Sequence, residues 1–363
     1  MCSAEDNSLS VIRVIKDSFK NYWTNCLTSL AKIEKLFCRK INKFTNINKF
    51  FYSFMKISKK YFSVIFLFLA AFSISQNAMA CACGCGVLNV GTSSLIPNCE
   101  GGIAFMQYDY MSQTRNWSGG NKSSGHNHDK RIETQTITAG AQYMFNRDWG
   151  AAIRVPYVTR FVSNSPHHGG PIYTRHSDIG DVRVNGIYSG LFDDMSTGIT
   201  FGLKLPTGQT NANTIERNQQ IGTGSTDSIL GAYHMGNFGK SKAGYFAQTS
   251  WERPFIRHQG FTPGSEISGA TGVYYNLGQF GEIKRVAPIL QFTAAKKTQD
   301  SGWADPHHNP NTGYSMMFFN PGIEMTIDKF KIYADVGFPI YRRVNGNQLV
   351  PQNIYKVILG YNF

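Results

Sequence analysis

The last eleven residues, "NIYKVILGYNF" (Asn353–Phe363), decide the fold. Tyr355, Val357, Leu359, Tyr361 and Phe363 share one face of an extended chain, because side chains alternate across a strand. A helix would scatter the same five residues around its circumference. A strand that is aromatic and aliphatic on one side and closes on Phe is the pattern of the final strand of a bacterial outer-membrane barrel. Phe363 is then the residue expected to be read by the barrel-assembly machinery.

The same alternation recurs upstream. About twelve segments of roughly ten residues carry it, near 102–115, 131–145, 149–162, 178–191, 196–208, 226–236, 243–253, 265–277, 284–299, 314–327, 331–342 and 350–363. In the third, Ile153, Val155 and Tyr157 oppose Arg154; in the fifth, Ile199, Phe201, Leu203 and Leu205 oppose Thr200, Gly202 and Lys204. The connections alternate in length. "NRD", "FDDM", "NFGKSK", "LGQFGE" and "DKF" are short, whereas 116–130, 163–177, 209–225, 254–264, 300–313 and 343–349 are long. Short turns at one end and long loops at the other are how transmembrane barrels are built. The expected fold is therefore all-β: a transmembrane antiparallel up-and-down β-barrel of about twelve strands over residues 101–363. Closure would leave no sheet edge in the lipid of the outer membrane. An even count puts both termini at the short-turn, periplasmic end.

Composition agrees with that class. Charged residues are only 16% of the chain, and the net charge of +13 is uneven. Residues 1–54 hold 9 Lys+Arg against 4 Asp+Glu, and residues 81–363 hold 24 against 19 without a basic block, so nucleic acid is not an expected partner. Residues 55–80, "MKISKKYFSVIFLFLAAFSISQNAMA", read as a secretory signal peptide: Lys56, Lys59 and Lys60 lead an apolar run, and Ala78-Met79-Ala80 is a small-x-small cleavage site. Residues 1–54 are either sequence upstream of the true start at Met55 or an extended leader. Cleavage would leave residues 81–100 as a Cys-rich periplasmic segment ahead of the barrel, with a mature protein in the bacterial outer membrane.

The inward face should carry Asp109, Arg154, Arg160, Asp181, Arg183, Lys204, Glu252, Arg285, Glu324, Asp335 and Lys356. Two readings follow: a cross-braced interior, or a small-solute pore whose constriction includes Arg154, Asp181, Arg183 and Lys204. The near balance of signs argues against strong charge selectivity.

Three stretches, "GDVRV" (Gly180–Val184), "LKLPTG" (Leu203–Gly208) and "IGTGSTD" (Ile221–Asp227), resemble the outer-membrane transporter family of the meta-pathway phenol-degradation type. The resemblance implies a β-barrel that takes up or exports small, often aromatic, compounds. A passive pathway for a small-molecule solute, without a cofactor, is the expected function. The rival is a structural or adhesion barrel without transport. An outer-membrane hydrolase would need a Ser–His pair such as Ser225 or Ser228 with His234; neither GxSxG nor HExxH occurs, and enzymatic activity is not expected.

Two clusters could add metal chemistry. His126, His128, His167, His168, His307 and His308, with His176 and His258, fall in the expected exterior loops, and imidazole suits Cu or Zn. Cys81, Cys83, Cys85 and Cys99 would enter the oxidising periplasm, where disulfides, a lipid on Cys81 and soft-metal capture as Cu(I) or Zn all stay open. A bridge across one intervening residue is strained, so one disulfide to Cys99 is expected, the remaining thiols being able to bind a soft cation. Intact mass with and without reductant, followed by metal titration, checks this. Four alkylatable thiols with no metal uptake would contradict it.

Overall fold

A strand that is apolar on one face and polar on the other must be covered differently on its two sides, and this chain does so by closing one sheet into a ring. The computed structural model describes residues 95–97, 100–124, 129–164, 172–212, 217–256, 260–302 and 309–363. In chain order the strands are β1 (Gly101–Gly119), β2 (Asn121–Lys122), β3 (Asp129–Met144), β4 (Trp149–Asn164), β5 (Ile172–Ile179), β6 (Val182–Tyr188), β7 (Thr197–Leu205) and β8 (Thr226–Asn237). They continue with β9 (Ala243–Ile256), β10 (Phe261–Thr262), β11 (Glu266–Tyr275), β12 (Gly278–Phe280), β13 (Ile283–Lys297), β14 (Ser301–Gly302), β15 (Tyr314–Ile327) and β16 (Phe330–Asn362).

Eleven of these close an antiparallel ring in the order β1, β3, β4, β6, β7, β8, β9, β11, β13, β15, β16 and back to β1. β2, β5 and β12 extend it, and β10 with β14 makes a separate small ladder. A ring of eleven single crossings could not be antiparallel throughout, since up must alternate with down. The 33-residue β16 resolves this. Its first half pairs with β15 (Ile327↔Phe330 to Tyr314↔Val344) and its second with β1 (Gly119↔Val344 to Ile103↔Asn362). The strand turns back on itself near Gly346, whose φ of 60° suits glycine, and Asn362 N donates to Lys329 O at 2.9 Å where the two ends meet. These halves are the two segments expected at 331–342 and 350–363, which is why that count exceeds the ring by one.

Parity sets the faces. Tyr108, Ile137, Ile153, Val184, Phe201, Leu230, Trp251, Val273, Leu290, Ile323 and Val357, one from each ring strand, are exposed on the outside. A continuous apolar band of that kind is far larger than the scattered apolar residues of a soluble surface. Among the described residues no helix is long and apolar enough to cross a membrane; crossing by strands is a separate matter.

Both ends of the barrel segment meet at one pole. Phe363 N donates to Gly102 O at 2.9 Å, Gly102 N donates to Phe363 O at 3.1 Å, and the Phe363 ring stacks on Tyr143 at 6.0 Å. The short turns share this pole, and Met195, Gly239, Gly281 and Asp328 each supply a positive φ there. Lys284 Nζ lies 2.6 Å from Asp328 Oδ1 in this turn region and holds that carboxyl below the usual range. Aromatic pairs ring the pole, Trp149 with Tyr188 and Phe330 with Tyr361 among them, as at a membrane interface.

Several expected loops are partly or wholly strand: 116–119 belong to β1, 172–177 to β5, and 343–349 lie within β16. His176 sits on β5, opposite Arg160 of β4, and not in a loop. The stretch "YTRHSD" lies beyond the apolar band, so no hydrophobic period marks it as strand.

A Cβ on Gly102 would overlap the Phe363 ring. Gly102→Leu should therefore lower the fraction of the compact, heat-modifiable form that unboiled protein shows on SDS gels. An unchanged fraction would separate barrel closure from this contact.

Candidate functional site in the lumen

The inner wall is built from a row of facing charges. The register places Arg154 of β4 opposite Arg183 of β6, Arg183 opposite Lys204 of β7, and Lys204 opposite Asp227 of β8. On β9, Glu252 stands opposite Glu266 of β11. Six consecutive ring strands thus carry three cations and then three anions. Like charges placed side by side are unfavourable across a ladder, so the order needs compensation. It comes through Glu252, which accepts Arg183 Nη2 at 3.0 Å and Lys204 Nζ at 2.8 Å. Lys204 also pairs with Asp227; the two side chains are 3% and 2% exposed. Glu266 accepts from Tyr314 Oη at 2.8 Å. Arg154 makes no hydrogen bond or ion pair among the described residues, and its guanidinium lies 6.0 Å from the centroid of the Phe105 ring.

The far wall is neutralised differently. Asp335 accepts from Tyr333 Oη at 2.6 Å, Gln291 Nε2 at 3.3 Å and Asn320 Nδ2 at 3.2 Å, while Arg285 pairs with Glu324 at 2.9 Å. Lys356 stands 3.9 Å from Asp109, to which Gln107 donates at 2.7 Å.

The three motif stretches converge at the long-loop end. Asp181 of "GDVRV" accepts from Gly208 N of "LKLPTG" at 3.0 Å, and from Thr223 N and Oγ1 of "IGTGSTD" at 2.8 and 2.6 Å. Gly208 and Gly222 touch so closely that a Cβ on either would strike the other's backbone. This knot holds the loop between β7 and β8 inside the barrel mouth. Arg160 clamps the loop's turn, its Nη1 donating to Gln219 O at 2.6 Å and Gln220 O at 3.1 Å. Arg217 lies 4.3 Å over the Phe261 ring.

At the pole of the termini Leu95 and Ile96 are buried, in one cluster with Ile103, Phe105, Ile187, Tyr233 and Phe246. A second apolar cluster, including Met111, Met316, Phe318 and Val350, sits toward the long loops. Two cavities remain. One of about 180 Å³ reaches from the clamped loop to the charged row, and the other, about 120 Å³, reaches from the row to Leu95–Pro97. Arg154, Arg183, Glu252 and Glu266 line both.

Of the expected pore residues, Arg154, Arg183 and Lys204 do lie together in this row, but Lys204 is locked in ion pairs and does not stand free toward a solute. Asp181 lines the outer cavity while anchoring the loop. The interior is also less uniformly polar than the alternation implied, since both ends carry apolar clusters. Asp227 and Glu266 were missed: the inward face of β8 continues as Ile229 and Tyr233, so its alternation gives no sign of a polar lumen. The parity of Ser268 and Ala270 on β11 would have placed Glu266.

Cys81, Cys83, Cys85, Cys99, His126, His128, His167, His168, His258, His307 and His308 lie outside the described residues. Among the described residues no group of three His, Cys, Asp or Glu could hold a metal ion. His234 faces outward, bonded to Thr197 Oγ1 at 2.7 Å and Tyr245 Oη at 3.3 Å. Ser225 turns instead to Asp227. Ser228, six residues along β8, is about 20 Å from His234 at the rise of a strand, so no Ser–His pair forms there.

No protein-family model matches the chain, and no curated protein matches it. Among solved structures, an outer-membrane channel from Pseudomonas putida F1 is similar at 13% identity and a TM-score of 0.56, covering 76% of this chain and all of that one. The β domain of the Bordetella autotransporter BrkA (10% identity, TM-score 0.44, 73% of this chain and 100% of that one) and the NanC porin (11%, 0.40, 72% and 100%) are more distant. The first likeness shows that the fold is a barrel of outer-membrane type.

Asp181 holds the loop with three hydrogen bonds to a charged acceptor, each worth about 1.5–3 kcal/mol. Asp181→Ala should open the 206–225 loop to trypsin at Arg217, where the parent resists. Equal resistance of both would show that the knot does not hold the loop.

Proposed function

We propose that this chain is an outer-membrane barrel that passes a small solute between its two poles, with the termini in the periplasm and no enzymatic step. The supporting observation is the pair of cavities sharing one wall of charges, which leaves internal space on both sides of the row, from the clamped loop to Leu95–Pro97. The segregated row sets a transverse field across that space, cations on β4, β6 and β7 against anions on β8, β9 and β11. Such a field aligns dipolar solutes without selecting strongly for either sign. The outward apolar band supports lipid as the surrounding medium, and Phe363 at the seam supports recognition by the barrel-assembly machinery. The motif resemblance to transporters of the meta-pathway phenol-degradation type agrees with a small-molecule cargo.

A second reading, a structural barrel without transport, is favoured by the inward loop and by the buried Leu95 and Ile96, which narrow the two ends. Planar-bilayer recordings separate the two. Passage predicts discrete current steps in KCl with weak preference for either ion, and larger steps for Asp181→Ala. Silence of both proteins across salts would establish the structural reading.

A further inference from the structure

The charged row is incomplete at one end. Arg183 and Lys204 each have a carboxylate within 3.0 Å, while Arg154 has none. Its neighbour on β3 is Gly140, over which the Phe105 ring lies, so on that side the guanidinium meets an aromatic face and not a carboxylate. Asp109, on the same wall, accepts from Gln107 through Oδ2 and has Lys356 Nζ 3.9 Å from Oδ1, so it attracts Arg154 at longer range without bonding to it. A guanidinium offers five donors in a planar fork that matches a carboxylate. With no carboxylate hydrogen-bonded to it in a part-buried wall, it favours an anion that completes the fork.

The surroundings restrict which anion. Toward the termini, Arg154 shares its cavity with Leu95, Ile96, Ile187 and Ile229, which make one apolar side for a hydrocarbon body, the rest of the lining being mostly polar and including Glu252 and Glu266. Inorganic phosphate would leave that side uncovered, and an amine would meet like charge at Arg154 while Glu252 is already held by Arg183 and Lys204 and Glu266 by the Tyr314 hydroxyl. We infer that Arg154 and the apolar wall beside it form a binding site for a small organic monocarboxylate, the carboxylate on the guanidinium and the hydrocarbon against Leu95, Ile96 and Ile187. This rests on the proposed passage of small solutes and names the class of one of them.

The test is calorimetry on purified full-length barrel in detergent, which does not depend on conduction. Butyrate should bind, with 1-butanol, n-butylamine and inorganic phosphate at least about tenfold weaker. A hydrogen bond to a charged group is worth about 1.5–3 kcal/mol, so Arg154→Gln should weaken butyrate by about tenfold or more. Arg154→Lys, which keeps the charge and loses the fork, should weaken it several-fold. Heat-modifiability on SDS gels confirms folding of each variant, and if the Gln variant fails to fold, the Lys variant carries the comparison. Absence of butyrate binding, an affinity unchanged in the folded variant, or phosphate binding as tightly as butyrate overturns the site. A barrel silent in bilayers that still binds butyrate through Arg154 sinks passage and leaves the site standing; a conducting barrel indifferent to Arg154 does the reverse.

Discussion

Glu252 is the charge on which the lumen depends. It pairs with cations of β6 and β7, and without it the run Arg154, Arg183 and Lys204 would keep one ion pair, that of Lys204 with Asp227. Removing one partner of a buried ion pair typically costs about 3–5 kcal/mol, because the other is left charged and undersolvated. A wholly apolar interior of equal volume would avoid that cost. The row therefore marks a place where the chain accepts electrostatic cost between two apolar clusters of the barrel interior.

The loop at one mouth and the N-terminal segment at the other follow from the same economy. Polar groups in a narrow interior need partners, and the backbone carbonyls of Gln219 and Gln220 supply them to Arg160. Asp181, at the break between β5 and β6, is satisfied by backbone and hydroxyl donors of the folded-in loop. Leu95 and Ile96 cover the apolar inner surface that would otherwise meet water. Each plug thus completes the chemistry of the wall that it touches.

The barrel was legible because its period is two and its outward face is lipid-like. Tyr355 through Phe363 show that face directly, and Arg154, Arg183 and Lys204 fell inward by the same parity. The reversal within β16 was legible as a break between 331–342 and 350–363, but 343–349 read as a long loop and is strand on both sides of Gly346. What escaped was whatever has no period. "GDVRV", "LKLPTG" and "IGTGSTD" read singly as strand ends and turns, and only their meeting at Asp181 shows them as one anchor. Arg160 was placed inward correctly, but nothing in its strand says that a loop would fold down to meet it. Leu95-Ile96-Pro97 is too short to carry any pattern, and β5 extends where water lies on both faces and alternation loses its meaning.

The coupling between Glu252 and Arg183 tests the cross-braced lumen most directly. A double-mutant cycle on Glu252→Gln and Arg183→Gln, read as the urea midpoint for loss of the heat-modifiable band, isolates the pair. If Glu252 organises the row, each single change is more damaging than its share of the double, with a coupling of about 1–3 kcal/mol. Effects that add to within about 0.5 kcal/mol would contradict it, leaving the charges of the row as independent side chains on a barrel held by its backbone alone.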